Sequence, residues 1–319
     1  MPPVPMLLWL DEAGIYAKAI AEAGLADRVR LTPLPRGATP TEAMLAETEA
    51  LLAWGAPPGL LARMPRLRWV QALTAGVEAW LARDDLREGI TLTCARGTHR
   101  VAMPENILGA LFHLTKPYLA AALDQRERRW TRRVGVPLAG QTLGILGLGA
   151  IGQEVARKAA ALELRVIGTR RGGGAALPGV EQVLPPEGTP EVLARSDFVL
   201  LLLPVTPETR DFMDARRLAM MKPTAYLLNF GRGQLVVDAD LVAAVRDRRI
   251  AGAVLDVFRE EPLPPTHPFW TTEGITVLPH IGGLHPTRDA LVAALLAENL
   301  RRFLDAEALT AVVDRRAGY

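Results

Sequence analysis

The first hundred residues alternate short apolar runs with amphipathic stretches. The apolar runs predict strands at Met6–Leu10, Val29–Thr32, Ala50–Trp54, Trp69–Ala72 and Thr91–Thr93. Helices are predicted between them at Ile15–Ala23, Thr41–Glu47 and Gly59–Met64. This βαβ rhythm predicts a parallel sheet with helices on both faces, because parallel strands are joined by crossover connections that cover the sheet.

A second series of apolar runs follows a long apolar-rich helical region, Met103–Trp130, which Pro117 interrupts. Strands are predicted at Thr142–Leu146, Arg165–Thr169, Phe198–Leu203, Ala225–Asn229, Gly252–Asp256 and Ile275–Leu278. Helices are predicted at 152–162, 190–195, 214–220 and 238–247, and a last helix runs from Thr287 to Phe303. The strand count of this second series is that of a full dinucleotide-binding fold.

The first strand of the second series ends in a glycine-rich turn, Gly147-x-Gly149-x-x-Gly152. Gly147 allows a tight turn, Gly149 lets the backbone approach phosphates, and Gly152 lets the next helix pack close to the strand. Ala150 and Ile151 open that helix, whose N-terminus offers unpaired N–H groups to an anion. The order of strand, turn and helix therefore favours a dinucleotide pyrophosphate site over an ordinary βα turn.

Composition narrows the classes of protein that fit this pattern. A length of 319 residues favours two domains, and a hydrophobic content of 49% can fill substantial cores. The 37 basic and 35 acidic residues nearly balance, which gives no reason to expect a nucleic-acid partner. The single cysteine, Cys94, excludes an internal disulfide and a cysteine-rich zinc site, and we expect no bound metal.

The apolar runs also bear on localisation. The N-terminal run lacks a basic leader and is short for a signal peptide. No apolar stretch reaches the roughly 18 residues that a membrane span needs. We therefore expect a soluble, cytoplasmic protein without a membrane partner.

Three further segments lie at the predicted ends of strands in the second series. They are Asn229–Asp238 (NFGRGQLVVD), Gly252–Pro264 (GAVLDVFREEPLP) and Leu278–Gly283 (LPHIGG). Because ligands of open α/β sheets gather at the carboxyl ends of strands, we expect these segments to converge on the glycine turn.

These segments resemble the D-isomer-specific 2-hydroxyacid dehydrogenase family, whose patterns are N-x-x-R-G-x-x-V-D, L-D-V-F-x-x-E-P-L-P and P-H-x-x-G/A. The first pattern departs here by one extra residue before Asp238, which leaves the role of Asp238 unassigned but not that of Arg232. The resemblance extends to Leu203–Thr209 and to Leu73–Val77, and so covers most of the chain.

The resemblance implies a two-domain α/β protein. A Rossmann-type dinucleotide-binding domain at residues 101–286 would be inserted in a flavodoxin-like substrate domain formed by residues 1–100 and 287–319. It also implies a homodimer. We expect the contact surface at Met103–Trp130, since the apolar content of that region exceeds what one amphipathic face requires.

The reduction of a 2-keto acid would explain why these segments contain charged and titratable residues. Arg232 can bind the substrate carboxylate and polarise the ketone, because its planar guanidinium has several N–H donors in a fixed arrangement. His280 suits the acid that protonates the developing alkoxide. Glu261, at the matching family position, would stabilise the imidazolium. The alternatives are a surface charge at Arg232, a structural histidine at His280 and a helix-start acid at Glu261, and the three matching segments together disfavour them.

The resemblance also assigns binding residues. Backbone N–H groups at Ala75, Gly76 and Val77 would bind the substrate carboxylate together with Arg232 and His280. The alternative for that segment is a plain turn after the strand Trp69–Ala72, and the sequence alone does not separate the two. The remaining cofactor contacts would come from Pro204, Thr206, Asn229 and Asp256.

The strand after the glycine helix carries the cofactor preference. An NAD-specific site places Asp or Glu about 20 residues beyond the turn, to bind the ribose hydroxyls. Here the segment ends in Thr169, Arg170 and Arg171, and two arginines would attract a 2′-phosphate. We therefore predict NADP(H) as the cofactor. The alternative is that the two arginines are only solvent-exposed charges and that the protein uses NAD as well.

The leading hypothesis is an NADPH-linked reductase that converts a small 2-keto acid to a D-2-hydroxy acid. The stretch Val101–Glu105 and the loop Thr169–Arg171 resemble the glyoxylate/hydroxypyruvate reductase branch of the family. The alternatives are a dehydrogenase for a bulkier D-2-hydroxy acid and a redox-sensing binding protein on the same fold.

Overall fold

A computed structural model describes residues 2–318 of the chain. The chain divides into two compact units, one formed by residues 1–98 and 285–319 and the other by residues 99–284. Each unit has its own parallel sheet and its own hydrophobic core. The α/β class is therefore confirmed, while the assignment of one unit to substrate and the other to cofactor stays a prediction.

The first unit contains a parallel sheet in the order β2-β1-β3-β4-β5. Its strands are β1 (Val4–Trp9), β2 (Val29–Leu34), β3 (Ala50–Ala53), β4 (Trp69–Ala72) and β5 (Thr91–Thr93). Helices α1 (Ala13–Glu22), α2 (Glu42–Glu47) and α3 (Glu78–Leu81) come from the same stretch of chain.

The second unit contains a parallel sheet in the order β12-β11-β10-β9-β6-β7-β8. Its strands are β6 (Thr142–Leu146), β7 (Arg165–Thr169), β8 (Gln182–Leu184), β9 (Phe198–Leu201), β10 (Tyr226–Asn229), β11 (Gly252–Leu255) and β12 (Ile275–Val277). Its helices are α4 (Ala102–Thr115), α5 (Tyr118–Arg126), α6 (Ala150–Ala161), α7 (Thr189–Arg195), α8 (Ala215–Leu218) and α9 (Asp238–Arg246). The last helix, α10 (Arg288–Leu304), belongs to the first unit.

Both sheets are buried on both faces, which explains why their strands are continuous apolar runs. In β1, Leu7 packs into one core layer of the first unit, while Met6 and Leu8 pack into the other. In β6, Leu146 and Ile145 divide between the two core layers of the second unit in the same way. The chain leaves β6 towards β7 on one side and returns to β9 on the other, so a topological switch point lies at β6.

The predicted elements differ from the observed ones mainly where they are short. The predicted helix Gly59–Met64 is only a 3₁₀ turn, Leu61–Arg63, because Gly59 has a φ of +77° and cannot continue a helix. The helical region that was predicted to reach Trp130 breaks at Pro117 and ends at Arg126. Strand β8 and helix α3 were not predicted, since three or four residues are too few for a periodic signal.

In the range 2–318, none of the helices combines the length and the apolar character that crossing a membrane demands.

Candidate active site

The glycine turn after β6 has a different packing constraint at each glycine. At Gly147, where φ is +110°, a Cβ would lie 2.7 Å from the carbonyl oxygen of Leu202. At Gly152 a Cβ would lie 2.4 Å from the carbonyl oxygen of Gly147. At Gly149, by contrast, a Cβ would point into open space. The outer glycines are thus required by the fold, whereas the middle one leaves its backbone open to a ligand.

Helix α6 begins directly at this turn, with Ala150 and Ile151 in its first turn. Gly149 is the N-cap, so within the described residues no side chain caps the helix, and its first turn carries no acidic residue. The leading N–H groups therefore keep their hydrogen-bonding capacity and their partial positive charge. These features fit a pyrophosphate, which needs both a close backbone and an anion-attracting helix end.

The end of β7 is tied to the glycine turn. The carbonyl of buried Thr169 accepts hydrogen bonds from the backbone N–H groups of Gly147, at 3.3 Å, and Leu148, at 2.9 Å. Arg170 and Arg171 follow at once and are exposed. The residues that the sequence assigns to the adenosine ribose therefore lie directly beside the residues that it assigns to the pyrophosphate.

The loop after β9 contains the predicted cofactor residues Pro204 and Thr206. The hydroxyl of Thr209 donates to the carbonyl of Pro204 at 2.6 Å and accepts from the N–H of Thr206 at 2.7 Å. The Thr206 hydroxyl donates to Glu208 at 2.6 Å. This hydrogen bond, with a smaller contribution from the charge of Arg171, holds the pKa of Glu208 below its ordinary value. The positive charge of Arg171, in the loop after β7, therefore acts electrostatically on Glu208, in the loop after β9.

Arg232 lies in the loop after β10, and Asn229 braces that loop. The buried Asn229 side chain accepts a hydrogen bond from the N–H of Gly231 at 3.1 Å and donates to the carbonyl of Arg232 at 2.9 Å. Arg232 itself is half-buried, and its guanidinium donates to the carbonyl of Gly231 at 2.7 Å. The Asn229 amide thus supports Arg232, while its predicted contact with a cofactor stays a prediction.

The loops after β10 and β11 are packed tightly against each other. A Cβ at Gly233 would lie 1.9 Å from the carbonyl carbon of Phe258, so only glycine fits there. The Arg259 guanidinium donates to the carbonyl of Val236 at 2.8 Å. The segment that carries Arg232 is therefore held against the segment that leads to Glu261.

His280 and Glu261 form a direct pair. The Nδ1 atom of His280 lies 2.6 Å from Oε2 of Glu261, and the side chains are 52% and 35% exposed, respectively. The other carboxylate oxygen of Glu261 accepts from the N–H of Phe258 at 2.9 Å, which fixes its orientation. Because Nδ1 is engaged, Nε2 is the ring nitrogen that this arrangement leaves for a substrate.

The His280 loop is itself anchored to β11 by Asp256. Its buried carboxylate accepts from the N–H of Ile281 at 2.8 Å and from that of Gly282 at 2.9 Å. Burial, the largest effect, raises the pKa of Asp256, and these hydrogen bonds oppose the rise. A Cβ at Gly282 would lie 2.5 Å from Oδ2 of Asp256, so the close approach requires glycine. His280 adopts a left-handed φ of +51°, which these contacts hold in place.

Asn106 is a residue of this site that the sequence analysis missed. From helix α4 its side-chain amide donates to the carbonyls of Gly282, at 3.0 Å, and Ile281, at 3.4 Å. The loop that follows His280 is thus held through its N–H groups by Asp256 and through its carbonyls by Asn106. An asparagine within a helix has no local signal that would have indicated this role.

Asp238, whose role the extra residue in its segment leaves unassigned, pairs with residues outside the His280–Glu261 pair. Its carboxylate lies 3.4 Å from Nε2 of His267 and 3.5 Å from the Arg259 guanidinium. Burial is the main effect on this carboxyl and raises its pKa. Asp238 and His267 therefore stabilise the loops around the site and are separate from the His280–Glu261 pair.

The segment predicted to bind the substrate carboxylate lies in the first unit, between β4 and α3. Its carbonyls are engaged: the N–H of Ala95 donates to Thr74 at 2.9 Å, and the Thr74 hydroxyl donates to Gly76 at 2.5 Å. Within residues 2–318, the backbone N–H groups of Ala75, Gly76 and Val77 donate no hydrogen bond. A turn with bonded carbonyls and open N–H groups has the polarity that an anion needs.

The fold and these loops define an NAD(P)-dependent oxidoreductase of the α/β class. A sequence profile described as "D-isomer specific 2-hydroxyacid dehydrogenase, NAD binding domain" matches residues 108–282. The chain therefore belongs to the D-isomer specific 2-hydroxyacid dehydrogenase family, as its motifs predicted, and is an NAD(P)-dependent 2-hydroxyacid dehydrogenase.

Individual relatives agree with this family. Glyoxylate/hydroxypyruvate reductase A of Photorhabdus laumondii is 31% identical over 277 residues, 84% of this chain and 87% of that protein. A D-isomer specific 2-hydroxyacid dehydrogenase from Xanthobacter autotrophicus, solved with NADPH and MES, superposes with a TM-score of 0.87 at 33% identity and covers 99% of this chain and 100% of its own. An NADPH-dependent glyoxylate/hydroxypyruvate reductase from Sinorhizobium meliloti, solved with NADP and sulfate, has a TM-score of 0.84 at 30% identity, with 99% and 100% covered. These neighbours confirm the two-domain fold class.

Proposed function

We propose that the chain is an NADPH-linked reductase of small 2-keto acids such as glyoxylate and hydroxypyruvate. The observation that carries this proposal is the His280–Glu261 pair at 2.6 Å, held in loops packed against the one that carries Arg232. Relatives that reduce these acids, from Photorhabdus laumondii and Sinorhizobium meliloti, support the substrate class.

The site residues have distinct roles in this reaction. Arg232 binds the substrate carboxylate and polarises the carbonyl, which its planar guanidinium can do with parallel hydrogen bonds. NADPH, when bound, supplies the hydride for the carbonyl carbon. His280 donates a proton from Nε2 to the carbonyl oxygen, and Glu261 stabilises the imidazolium before that transfer. Because His280 is half exposed, solvent can return its proton after each turnover.

The glycine turn and the arginines after β7 give the cofactor its place. Gly147, Gly149 and Gly152 shape the turn, and the N-terminus of α6 binds the pyrophosphate. Arg170 and Arg171 pair with the 2′-phosphate that distinguishes NADPH from NADH. The complexes of two structural neighbours with NADPH or NADP support this preference.

The open N–H groups at Ala75, Gly76 and Val77 bind the carboxylate of the same substrate. An anion held by backbone N–H groups needs no further positive charge in that segment, and the segment contains none. This role explains why a loop with bonded carbonyls leaves its donors open.

We also propose that the protein is a homodimer. The contact surface would lie on α4, α5 and the segment that follows them. Trp130 is 90% exposed and Val134 is 98% exposed, and Tyr118, Leu119 and Leu123 of α5 are exposed as well. Large apolar side chains exposed in one region of a chain are typical of an interface between subunits. Light scattering at micromolar concentration should give twice the chain mass, and Val134→Asp should shift the mass toward the monomer. A monomer mass for the unchanged protein would reject the dimer.

The function is tested by a panel of 2-keto acids of increasing side-chain size with NADPH and with NADH. Glyoxylate and hydroxypyruvate with NADPH should give the highest kcat/KM. His280→Ala should lower kcat by roughly 10²- to 10⁴-fold, the usual contribution of a positioned acid, and leave NADPH affinity nearly unchanged. His113→Ala removes an exposed histidine that forms a hydrogen bond with Thr276, and it serves as the matched control. A His280→Ala variant with wild-type turnover would refute the assignment.

A further inference from the structure

Arg288, the first residue of α10, is buried although it carries a charge. Only 8% of the residue is exposed. Its guanidinium donates one hydrogen bond to the backbone carbonyl of Leu73 and another to the carboxylate of Asp289. Its face lies over the indole of Trp54, with Cζ 4.4 Å from the ring centroid. A buried charge that is hydrogen-bonded and stacked in this way has its position fixed from several sides.

Leu73 is the residue at which β4 leaves the sheet and the Thr74–Val77 loop begins. Its N–H donates to the carbonyl of Ala53 at 3.0 Å, which continues the pairing of β4 with β3. Its carbonyl accepts a hydrogen bond from the Arg288 guanidinium. The direction in which the chain leaves the sheet therefore depends on the guanidinium.

The partners of Arg288 are themselves fixed. Asp289 accepts a second hydrogen bond from the hydroxyl of buried Tyr16 at 3.2 Å, so α1 supports the start of α10. Trp54, which follows β3, presents the face of its ring to the guanidinium. The geometry needs a flat group with donors on two edges, which arginine has and lysine lacks.

We propose that Arg288 is a positioning residue that sets the Thr74–Val77 loop so that the N–H groups of Ala75, Gly76 and Val77 can bind the substrate carboxylate. This inference rests on the proposed function, because the carboxylate is that of the 2-keto acid. In this proposal Arg288 acts through Leu73, because its two hydrogen bonds go to Leu73 and Asp289. Its loss should therefore weaken substrate binding more than it slows the chemical step.

The test compares Arg288→Met, which keeps an unbranched apolar stem but removes the donors, with Arg288→Lys, which keeps the charge. Arg301→Met is the matched control, because Arg301 also lies on α10 but pairs with Glu298 and Glu307. KM for glyoxylate, kcat, the NADPH dissociation constant by fluorescence, inhibition by oxalate and the melting temperature are measured for each full-length protein.

For Arg288→Met we expect KM for glyoxylate and the inhibition constant of oxalate to rise about tenfold or more, equivalent to about 1.4 kcal/mol. The NADPH dissociation constant should stay unchanged, and kcat should fall by less than KM rises. Arg288→Lys should lie between Arg288→Met and the unchanged protein, and Arg301→Met should match the unchanged protein.

Two results would overturn the inference. One is an unchanged KM in a folded Arg288→Met protein, or in Arg288→Lys if the methionine variant does not fold. The other is a parallel loss of substrate and NADPH affinity with a lower melting temperature, which would show a structural role only. Failure of the unchanged protein to reduce any 2-keto acid would instead refute the proposed function, and it would be visible before any variant is compared.

Discussion

The His280–Glu261 pair makes a prediction about the pH dependence of reduction. Glu261→Gln keeps the size of the side chain and an oxygen that can accept from the N–H of Phe258, so the loop should persist. What it removes is the negative charge 2.6 Å from Nδ1 of His280. A carboxylate beside an imidazole stabilises the protonated form, and an amide does not. Reduction needs that proton, so the variant should lose activity at a lower pH than the unchanged enzyme.

The structure sets the size of this effect. A hydrogen bond between charged groups contributes about 1.5–3 kcal/mol, but the His280 side chain is 52% exposed and solvent screens the pair. About 1 kcal/mol is therefore the expected loss, which corresponds to a roughly fivefold lower kcat/KM for glyoxylate where the proton on His280 limits the rate.

The assay is kcat/KM for glyoxylate with saturating NADPH from about pH 5 to pH 10, a range that brackets the ordinary titration of histidine. Glu260→Gln is the control, because it removes a neighbouring charge on the same loop that is exposed. An alkaline limb that does not move in Glu261→Gln, or that moves equally in Glu260→Gln, would refute the argument that this carboxylate controls the proton on His280.

Three further predictions concern the groups around this pair. Arg232→Lys should raise KM and lower kcat for glyoxylate, because a point donor cannot reproduce a bidentate fork; unchanged kinetics would place Arg232 outside the site. The double change Arg170→Ala and Arg171→Ala should raise KM for NADPH by roughly tenfold or more and leave KM for NADH almost unchanged; an equal loss for both cofactors would show that the arginines do not select the 2′-phosphate. Burial raises the pKa of Asp256 in the folded state, so the folded protein keeps the carboxyl proton to a higher pH than the unfolded chain does. The contribution of Asp256 to stability therefore decreases as the pH rises from about 4 through that raised pKa. Urea unfolding should therefore show that the stability of the unchanged protein relative to Asp256→Asn falls as the pH rises above about 4. A constant difference would contradict the shift.

The sequence predicted best what depends on local spacing. Continuous apolar runs gave β4, β6 and β7 with their observed bounds, because strands buried on both faces tolerate few polar residues. Gly147 and Gly152 could be assigned from their motif, because a strand, a tight turn and a helix in succession require glycines at a fixed spacing, although the atom that a Cβ at Gly147 would meet belongs to the distant Leu202. Short elements such as β8 and α3 escaped detection because tertiary contacts rather than periodicity hold them.

The residues that brace individual loops were harder to foresee than those to which we assign the chemistry. Arg232, Glu261 and His280 stand in recognisable segments because the roles that we propose for them, a proton donor with its partner and a carboxylate-binding cation, require particular side chains. Asn106 and Arg288 act through backbone carbonyls, and a carbonyl accepts a hydrogen bond from many donors at many sequence separations. Asn106 is 176 residues from Gly282, and Arg288 is 215 residues from Leu73. Only the folded chain brings such pairs together, so the orientation of these loops is a property of the tertiary structure, whereas the groups that we propose to react can be recognised in the sequence.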